Sequence, residues 1–96
     1  MTRWLLSESA AQDLEELCEF LLERLPEHAV QTVDVVMAAL GVLTEHPLMG
    51  RPVGHGLREL VISRGRSGYL ALYEFDTIAD IALVHALRHQ RESDYY

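Results

Sequence analysis

The sequence predicts an α+β domain in which a helical hairpin packs on one face of a small, mainly antiparallel sheet. Two successive segments of the first half keep the apolar spacing of amphipathic helices. Three short runs of the second half alternate as strands do, and turns join them. The 96 residues fit one domain, so residues 1–96 are assigned to a single core. The expected element order is β-α-α-β-β-β.

The first strand and the first helix occupy the opening residues. Trp4–Leu6 is a brief apolar run suited to a short strand. Ser7 or Ser9 can cap the following helix, and Ser9 with Gln12 fits the spacing of a capping box. One apolar stripe then runs over three turns. Its members are Leu14, Leu17, Cys18, Leu21, Leu22 and Leu25.

The second helix begins at Pro26, which breaks the first helix and is tolerated at the start of another. The short link between the two predicts an antiparallel hairpin. The apolar residues of the second helix are Ala29, Val30, Val33, Val36, Met37, Leu40 and Leu43. His46-Pro47 ends this helix, and the Gly- and Pro-rich stretch 49–56 predicts an irregular loop.

Three strands are expected in the second half, at residues 57–63, 69–75 and 81–87. Short turns at 64–68 and 76–77 join them, so neighbours should pair antiparallel. We expect the hairpin to meet the sheet through two apolar sets. The helical set is Leu14, Leu17, Leu21, Val33, Met37 and Leu40, and the strand set is Leu60, Ile62, Leu72 and Ile81 or Leu83.

The charge of the chain restricts its partners. The chain has fifteen acidic residues and eight basic ones, all of them arginine, which gives a net charge of −7. Because affinity for nucleic acid is largely electrostatic, this balance argues against a large phosphate-binding face and against direct binding of free DNA. The acids concentrate in the first half, whereas six of the arginines lie in residues 51–96. A local cationic site in the second half remains compatible with the composition.

Several other classes of site are not expected. The five histidines have no spacing typical of zinc ligands, and Cys18 is the single cysteine, so we expect no metal and no cofactor. No apolar run is long enough for a membrane helix or a signal peptide. A lone cysteine also cannot form an internal disulfide, which favours a cytoplasmic location.

The order of these elements resembles the RelE/ParE superfamily of bacterial toxins, the toxic halves of type II toxin–antitoxin pairs. Residues 6–14 are similar to the family's opening strand and capped helix, and His46-Pro47 through Pro52 to its loop after the second helix. Residues 57–60 resemble the start of its second strand, residues 67–73 its third strand, and residues 84–92 its closing motif. The resemblance therefore covers nearly the whole chain.

The resemblance implies one of two activities. ParE-like members inhibit DNA gyrase without chemistry of their own, with growth arrest and plasmid stabilisation as consequences. RelE-like members enter the ribosome and cleave messenger RNA, and those are usually strongly basic. This chain has no lysine, and Leu70 stands where an arginine often holds the cleaved phosphate. We therefore expect a ParE-like gyrase inhibitor, with a ribosome-dependent endoribonuclease as the alternative and a non-toxic degenerate relative as a third reading.

The expected target-binding residues gather in the second half of the chain. They are Arg58, Arg66, Arg88, His89 and Arg91. For a ribonuclease, the catalytic set would be Arg58, Arg88, His89 and Tyr95, because cleavage needs a proton donor or acceptor beside a phosphate-holding cation. We expect these residues to meet near one end of the sheet.

The resemblance also implies a cognate antitoxin as partner. Antitoxins of this superfamily lie across the helical hairpin and the sheet, so we expect a toxin–antitoxin hetero-oligomer containing two toxin chains. The acidic helices predict basic residues in the antitoxin segment that contacts them. The further partners are DNA gyrase or, for the alternative, the ribosome with its message, and no membrane.

Overall fold

A computed structural model describes residues 1–63 and 68–89. The strands are β1 (Arg3–Leu6), β2 (Arg51–Gly54), β3 (Leu57–Val61), β4 (Tyr69–Asp76) and β5 (Ile81–His89). The helices are α1 (Glu8–Arg24) and α2 (Pro26–Gly41), followed by a short 3-10 turn over Val42–Thr44. Within the described residues, no helix has the length and apolar character to cross a bilayer.

The five strands form one sheet in the order β1-β5-β4-β3-β2. Among the described strands, β1 pairs parallel with β5, and the other neighbours pair antiparallel. The α+β prediction is confirmed. The structure adds one strand, since residues 51–54 form edge strand β2 where the sequence predicts an irregular loop. All four residues of β2 are exposed, and Pro52 and a bulge interrupt the strand. Its sequence therefore lacks the alternation of apolar and polar residues that predicts a strand.

Capping and a proline define the helical hairpin. Ser7 is the N-cap of α1, where its side chain accepts a hydrogen bond of 3.1 Å from the Ala10 N–H. Glu8 in the first turn and Arg24 in the last turn each interact favourably with the dipole of the helix. Leu25 ends α1, and Pro26 begins α2 at once, so the two helices run antiparallel.

The core lies between this hairpin and one face of the sheet. Its buried members are Ala10, Val36, Leu40, Leu43, Leu60, Ala71, Tyr73, Ala82, Val84 and Leu87, with Trp4, Leu6, Leu14, Leu17 and Ile62 packed against them. Leu14, Leu17, Leu40, Leu60 and Ile62 thus lie where the sequence predicted. Leu21 is buried as well.

Other predicted core positions are wrong. Met37 is 37% exposed, and Val33 lines a groove on the outside of the hairpin; Val36 takes the inward place on α2. Apolar residues surround α2 on most sides, so its periodicity does not select one face. On the sheet, Ala82 and Val84 of β5 and Ala71 and Tyr73 of β4 face the core. Because side chains alternate along a strand, Leu72, Ile81 and Leu83 lie on the opposite face of the sheet.

Replacing Leu40 by alanine should lower the free energy of unfolding by about 2–5 kcal/mol, because its fully buried side chain leaves a cavity. Leu22→Ala is the matched control, since Leu22 lies on the outer surface of α1 and should change stability by about 0.5 kcal/mol or less. Urea denaturation followed by circular dichroism measures both. Equal losses for the two variants would mean that α2 packs through another face.

Candidate functional site

The loop after α2 is fixed by one buried tyrosine. The Tyr73 hydroxyl donates to the Pro47 carbonyl at 2.7 Å and accepts from the Gly50 N–H at 2.9 Å. Gly50 has no room for a side chain there, because a Cβ atom would lie 2.6 Å from Tyr73 Cε1 and 2.9 Å from the Glu59 carbonyl oxygen. The hydroxyl therefore joins the centre of the sheet to this loop.

Arg58 contributes to the same attachment. Its guanidinium donates to the carbonyl oxygens of Leu48 at 3.3 Å and Gly50 at 2.8 Å. Arg58 lies opposite Tyr73 in the β3–β4 pairing and on the same face as Leu60, towards the helices. Its described contacts are those of a residue that positions a loop.

The structure does not bring Arg58 together with Arg88 and His89. Arg88 lies opposite Leu70, which in turn lies opposite Val61, so the two arginines are offset by three residues along the sheet and by two strands across it. That offset corresponds to roughly 10 Å in each direction. Arg58 therefore lies apart from Arg88 and His89, which are neighbours in sequence, and the target contacts of all three stay a prediction. Arg66, Arg91 and Tyr95 lie outside the described residues.

Arg58→Ala should destabilise the fold by about 1–3 kcal/mol, because two loop carbonyls lose a charged donor. Arg51→Ala is the control. Its side chain is 73% exposed and forms a surface ion pair with Glu59, so its loss should cost about 1 kcal/mol or less. Thermal unfolding of both variants measures the difference. If Arg58→Ala is as stable as Arg51→Ala, Arg58 has no role in holding the loop.

Tyr69 and His89 form the centre of a site at the end of the sheet. They are directly opposite each other on β4 and β5, and their rings meet edge to face with centroids 5.3 Å apart. Burial raises the pKa of the Tyr69 phenol. Arg88 lies between Leu87 and His89, so strand alternation directs its side chain to the opposite face from theirs.

One stripe of α1 lies over this strand end. Asp13, Glu16, Leu17 and Phe20 follow one another at helical spacing and border the same cavity as Tyr69 and His89. The Asp13 carboxylate accepts a hydrogen bond of 3.0 Å from the Leu87 N–H, which ties α1 to β5. The Arg24 guanidinium lies 5.7 Å from the centroid of the Phe20 ring, a cation–π contact.

Two adjoining cavities surround Tyr69 and His89, and together we call them the strand-end cleft. The smaller, with a volume of about 270 Å³, lies under the Asp13–Phe20 stripe. The larger, with a volume of about 730 Å³, continues beneath the tip of the hairpin. Phe20, Tyr69 and His89 border both, so the two form one continuous depression between the hairpin and the end of the sheet.

The cleft is bordered by ionisable residues on both sides. Asp13 and Glu16 lie on its helical side, and Arg88 and His89 on its strand side. In residues 1–63 and 68–89, no three His, Cys, Asp or Glu side chains come together in a set that would hold a metal ion. The phenol and imidazole are groups able to move a proton, whereas the neighbouring carboxylates disfavour a bound phosphate.

Tyr69 is the site residue that sequence reasoning missed. The sequence places it at the start of the strand predicted at residues 69–75, and nothing in the order of residues shows that it faces His89 twenty positions later. The available signal was an aromatic residue directly after the predicted turn and a histidine at the end of the last predicted strand. Antiparallel strands joined by a short turn bring such ends together.

Raising the pH above 10.0 should destabilise the protein in part through Tyr69, because the folded state raises its pKa above that ordinary value and so disfavours the phenolate. The contribution is intact below pH 10.0 and is lost as the pH rises through the folded-state pKa. Tyr69→Phe should therefore lose less stability than wild type from about pH 9 to about pH 11. Urea titrations at each pH measure this, and the chain has no lysine to titrate in that range. Parallel curves for the two proteins would contradict it.

Comparison with known proteins identifies close relatives. The family model for the ParE toxin of the type II toxin–antitoxin system parDE matches residues 5–94. The toxin RelE3 of Caulobacter vibrioides is 31% identical over 87 residues, which cover 91% of this chain and 92% of that one. The toxin RelE1 of the same organism is 41% identical over 69 residues, covering 72% of this chain and 74% of RelE1.

Solved structures share the fold. A chain of the chromosomal ParDE toxin–antitoxin system from P. aeruginosa superposes with a TM-score of 0.76 at 19% identity, covering 93% of this chain and 96% of that chain. A chain of the toxin–antitoxin complex RelBE2 from Mycobacterium tuberculosis gives 0.59 at 23% identity, covering 92% of this chain and 96% of that chain. At these identities the likeness establishes the common architecture of hairpin and sheet.

Proposed function

The chain belongs to the ParE toxin family of type II toxin–antitoxin systems, and we propose that it arrests growth by binding DNA gyrase and inhibiting it without cleaving RNA. A cognate antitoxin neutralises it in a hetero-oligomeric complex. We also propose that it acts in the cytoplasm, in agreement with its single cysteine. Neither a membrane nor free DNA is a partner in this proposal.

The charge around Arg88 and His89 is the observation that carries the proposal. On the helical side of the sheet, Asp13 and Glu16 border the same cleft. On the opposite face, Glu74 pairs with His85 at 2.9 Å, and Glu59 pairs with Arg51 at 2.9 Å. Carboxylates thus border the cleft together with Arg88 and His89 and pair with Arg51 on the other face, which suits recognition of a protein surface better than of a polyanion.

The position of Leu70 supports the same choice. It lies directly opposite Arg88 in the β4–β5 pairing. Ribonuclease members of the superfamily often have an arginine at this position that holds the cleaved phosphate. The present chain has a buried leucine there. Arg58, the other candidate cation, donates to two loop carbonyls. A cleaving enzyme would therefore have to stabilise the phosphate with Arg88 and residues outside those described.

A ribosome-dependent endoribonuclease is the second candidate. Both curated relatives from Caulobacter vibrioides carry RelE names. In addition, the edge-to-face contact of His89 with Tyr69 places a titratable imidazole beside a phenol at the end of the sheet. In this alternative, His89 or Tyr95 moves the proton and Arg88 holds the cleaved phosphate.

Purified toxin should block the supercoiling activity of gyrase and leave ribosome-bound messenger RNA intact. Arg88→Ala and His89→Ala should each weaken inhibition by degrees, by about 1–3 kcal/mol, because a contact surface loses one contact at a time. Arg3→Ala is the control and should inhibit as wild type does, because Arg3 is exposed on β1 and lies opposite Ile81, seven residues from Arg88 along β5.

The alternative gives a different pattern in the same assays. A ribonuclease would cleave the message while supercoiling continues, and either Arg88→Ala or His89→Ala would abolish cleavage. That result would overturn the gyrase proposal. Absence of both effects from a folded, antitoxin-free toxin would identify a degenerate relative.

A further inference from the structure

We propose that the outer face of the sheet is a contact surface for a second copy of this chain, so that two toxin molecules associate directly, sheet against sheet. The outer face is the side of the sheet that points away from the helical hairpin. Its accessible apolar part, which we call the open sheet face, consists of Leu5, Leu72, Ile81 and Leu83. The proposal does not depend on whether gyrase or the ribosome is the target.

The two central strands carry apolar residues on both of their faces. The core-facing residues of β4 and β5 alternate with Leu72, Ile81 and Leu83, which therefore face outwards. As a result, residues 70–73 and 81–84 are continuous apolar runs. An antiparallel strand with one face in water usually alternates with polar residues, whereas continuous runs are typical of strands covered on both faces. Both described helices pack on the core side, so the composition of these strands indicates a partner on the outer side.

The residues of the open sheet face are neighbours. Leu83 lies directly beside Leu5 in the β1–β5 pairing, and Ile81 precedes it by two residues on the same face. Leu72 is offset by two residues from the position on β4 that faces Leu83, a diagonal separation within reach of long side chains. Leu5 is 41% exposed, and the other three are partly exposed. Apolar side chains that adjoin in this way indicate an interaction site.

Charges of both signs surround the open sheet face. Glu59 pairs with Arg51 at 2.9 Å, and Glu74 with His85 at the same distance. The remaining charged neighbours are Arg3 and Asp76, both of which lie opposite Ile81. A two-fold contact joins one surface to itself, so it is favoured where that surface contains both signs of charge.

The hairpin is unsuited to such a contact. Residues 4–50, which include both helices, hold nine of the fifteen acids and a single arginine. Two copies of a chain with a net charge of −7 that met through their helices would bring like charges together. Charge therefore selects the outer face of the sheet as the surface through which two copies can approach.

Sheet-against-sheet packing also separates the acidic hairpins. Packed sheets lie about 10 Å apart, and each hairpin forms a further layer on the far side, which places the two hairpins roughly 30 Å from each other. That distance is well beyond the Debye length of about 8 Å at physiological salt, so their repulsion is largely screened. The strand-end cleft lies on the helical side of the sheet and stays accessible to other partners.

The size of the outer face is sufficient for a reversible dimer. The five strands span four spacings, or roughly 19 Å, and the eight residues of β4 extend over roughly 26 Å. In projection the face covers roughly 500 Å², before the relief of the side chains is added. A standard interface uses about 800 Å² of accessible surface per partner. We therefore expect a dimer at the weaker end of the range, with a dissociation constant on the order of micromolar.

The test measures the mass of the full-length, antitoxin-free toxin by sedimentation velocity at about 1 μM to about 100 μM. Wild type should shift from the 10.9 kDa monomer to a species of twice that mass. Leu5→Glu and Leu83→Glu should each raise the dissociation constant of the dimer by about tenfold or more, because the contact would bury an unpaired carboxylate. Leu22→Glu is the matched control, with the same change of charge at a 63% exposed position of α1, and should change the constant by less than about threefold.

Circular dichroism of each variant checks the fold, and Leu5, on an edge strand, keeps the test valid if Leu83→Glu does not fold. A wild-type toxin that stays monomeric over the whole range overturns the proposal. Equal weakening by Leu5→Glu and Leu22→Glu also overturns it, because net charge and not the sheet face would then control association. If the toxin is monomeric and Leu5→Glu weakens binding of the antitoxin or of the target instead, the outer face belongs to that partner, and the proposal is wrong.

Discussion

The long antiparallel pairing of β4 with β5 is the constraint on which the rest of the structure depends. The register shifts once, so that Leu72 faces Ala86 and Tyr73 faces Val84, and His85 is the extra residue of the bulge. The shift lets Ala82, Val84 and Leu87 all face the helices although their spacing is uneven. Beyond the bulge, the same pairing places Tyr69 opposite His89. The register of β4 against β5 therefore determines the geometry of both the core and the strand-end cleft.

Tyr73 and Arg58 connect this sheet to the loop that follows the helices. A buried hydroxyl must satisfy its hydrogen-bonding capacity, and the Tyr73 hydroxyl does so with backbone groups of Pro47 and Gly50. Arg58 adds donors to the same loop. Structural contacts thus attach the centre of the sheet to this loop, whereas His89 lies at the end of β5 beside the strand-end cleft.

The proposed function requires the toxin to be bound by its antitoxin in one state and by its target in another. Carboxylates on α1 favour a basic antitoxin segment, whereas Arg88 on β5 borders the same cleft. If both partners use the cleft, neutralisation needs no conformational change in the toxin, because occupation alone excludes the target.

The sequence by itself determined the fold class, the hairpin and the three longer strands, because apolar periodicity, the capping serines, Pro26 and the short turns are local signals. It also identified the superfamily through motifs distributed along the chain. Only the tertiary structure decided which face of α2 packs inwards, since Val33, Val36 and Met37 are equally apolar and the sheet selects among them. The separation of Arg58 from Arg88 and the meeting of Tyr69 with His89 depended on strand register, which is set by a bulge and by pairing between distant residues.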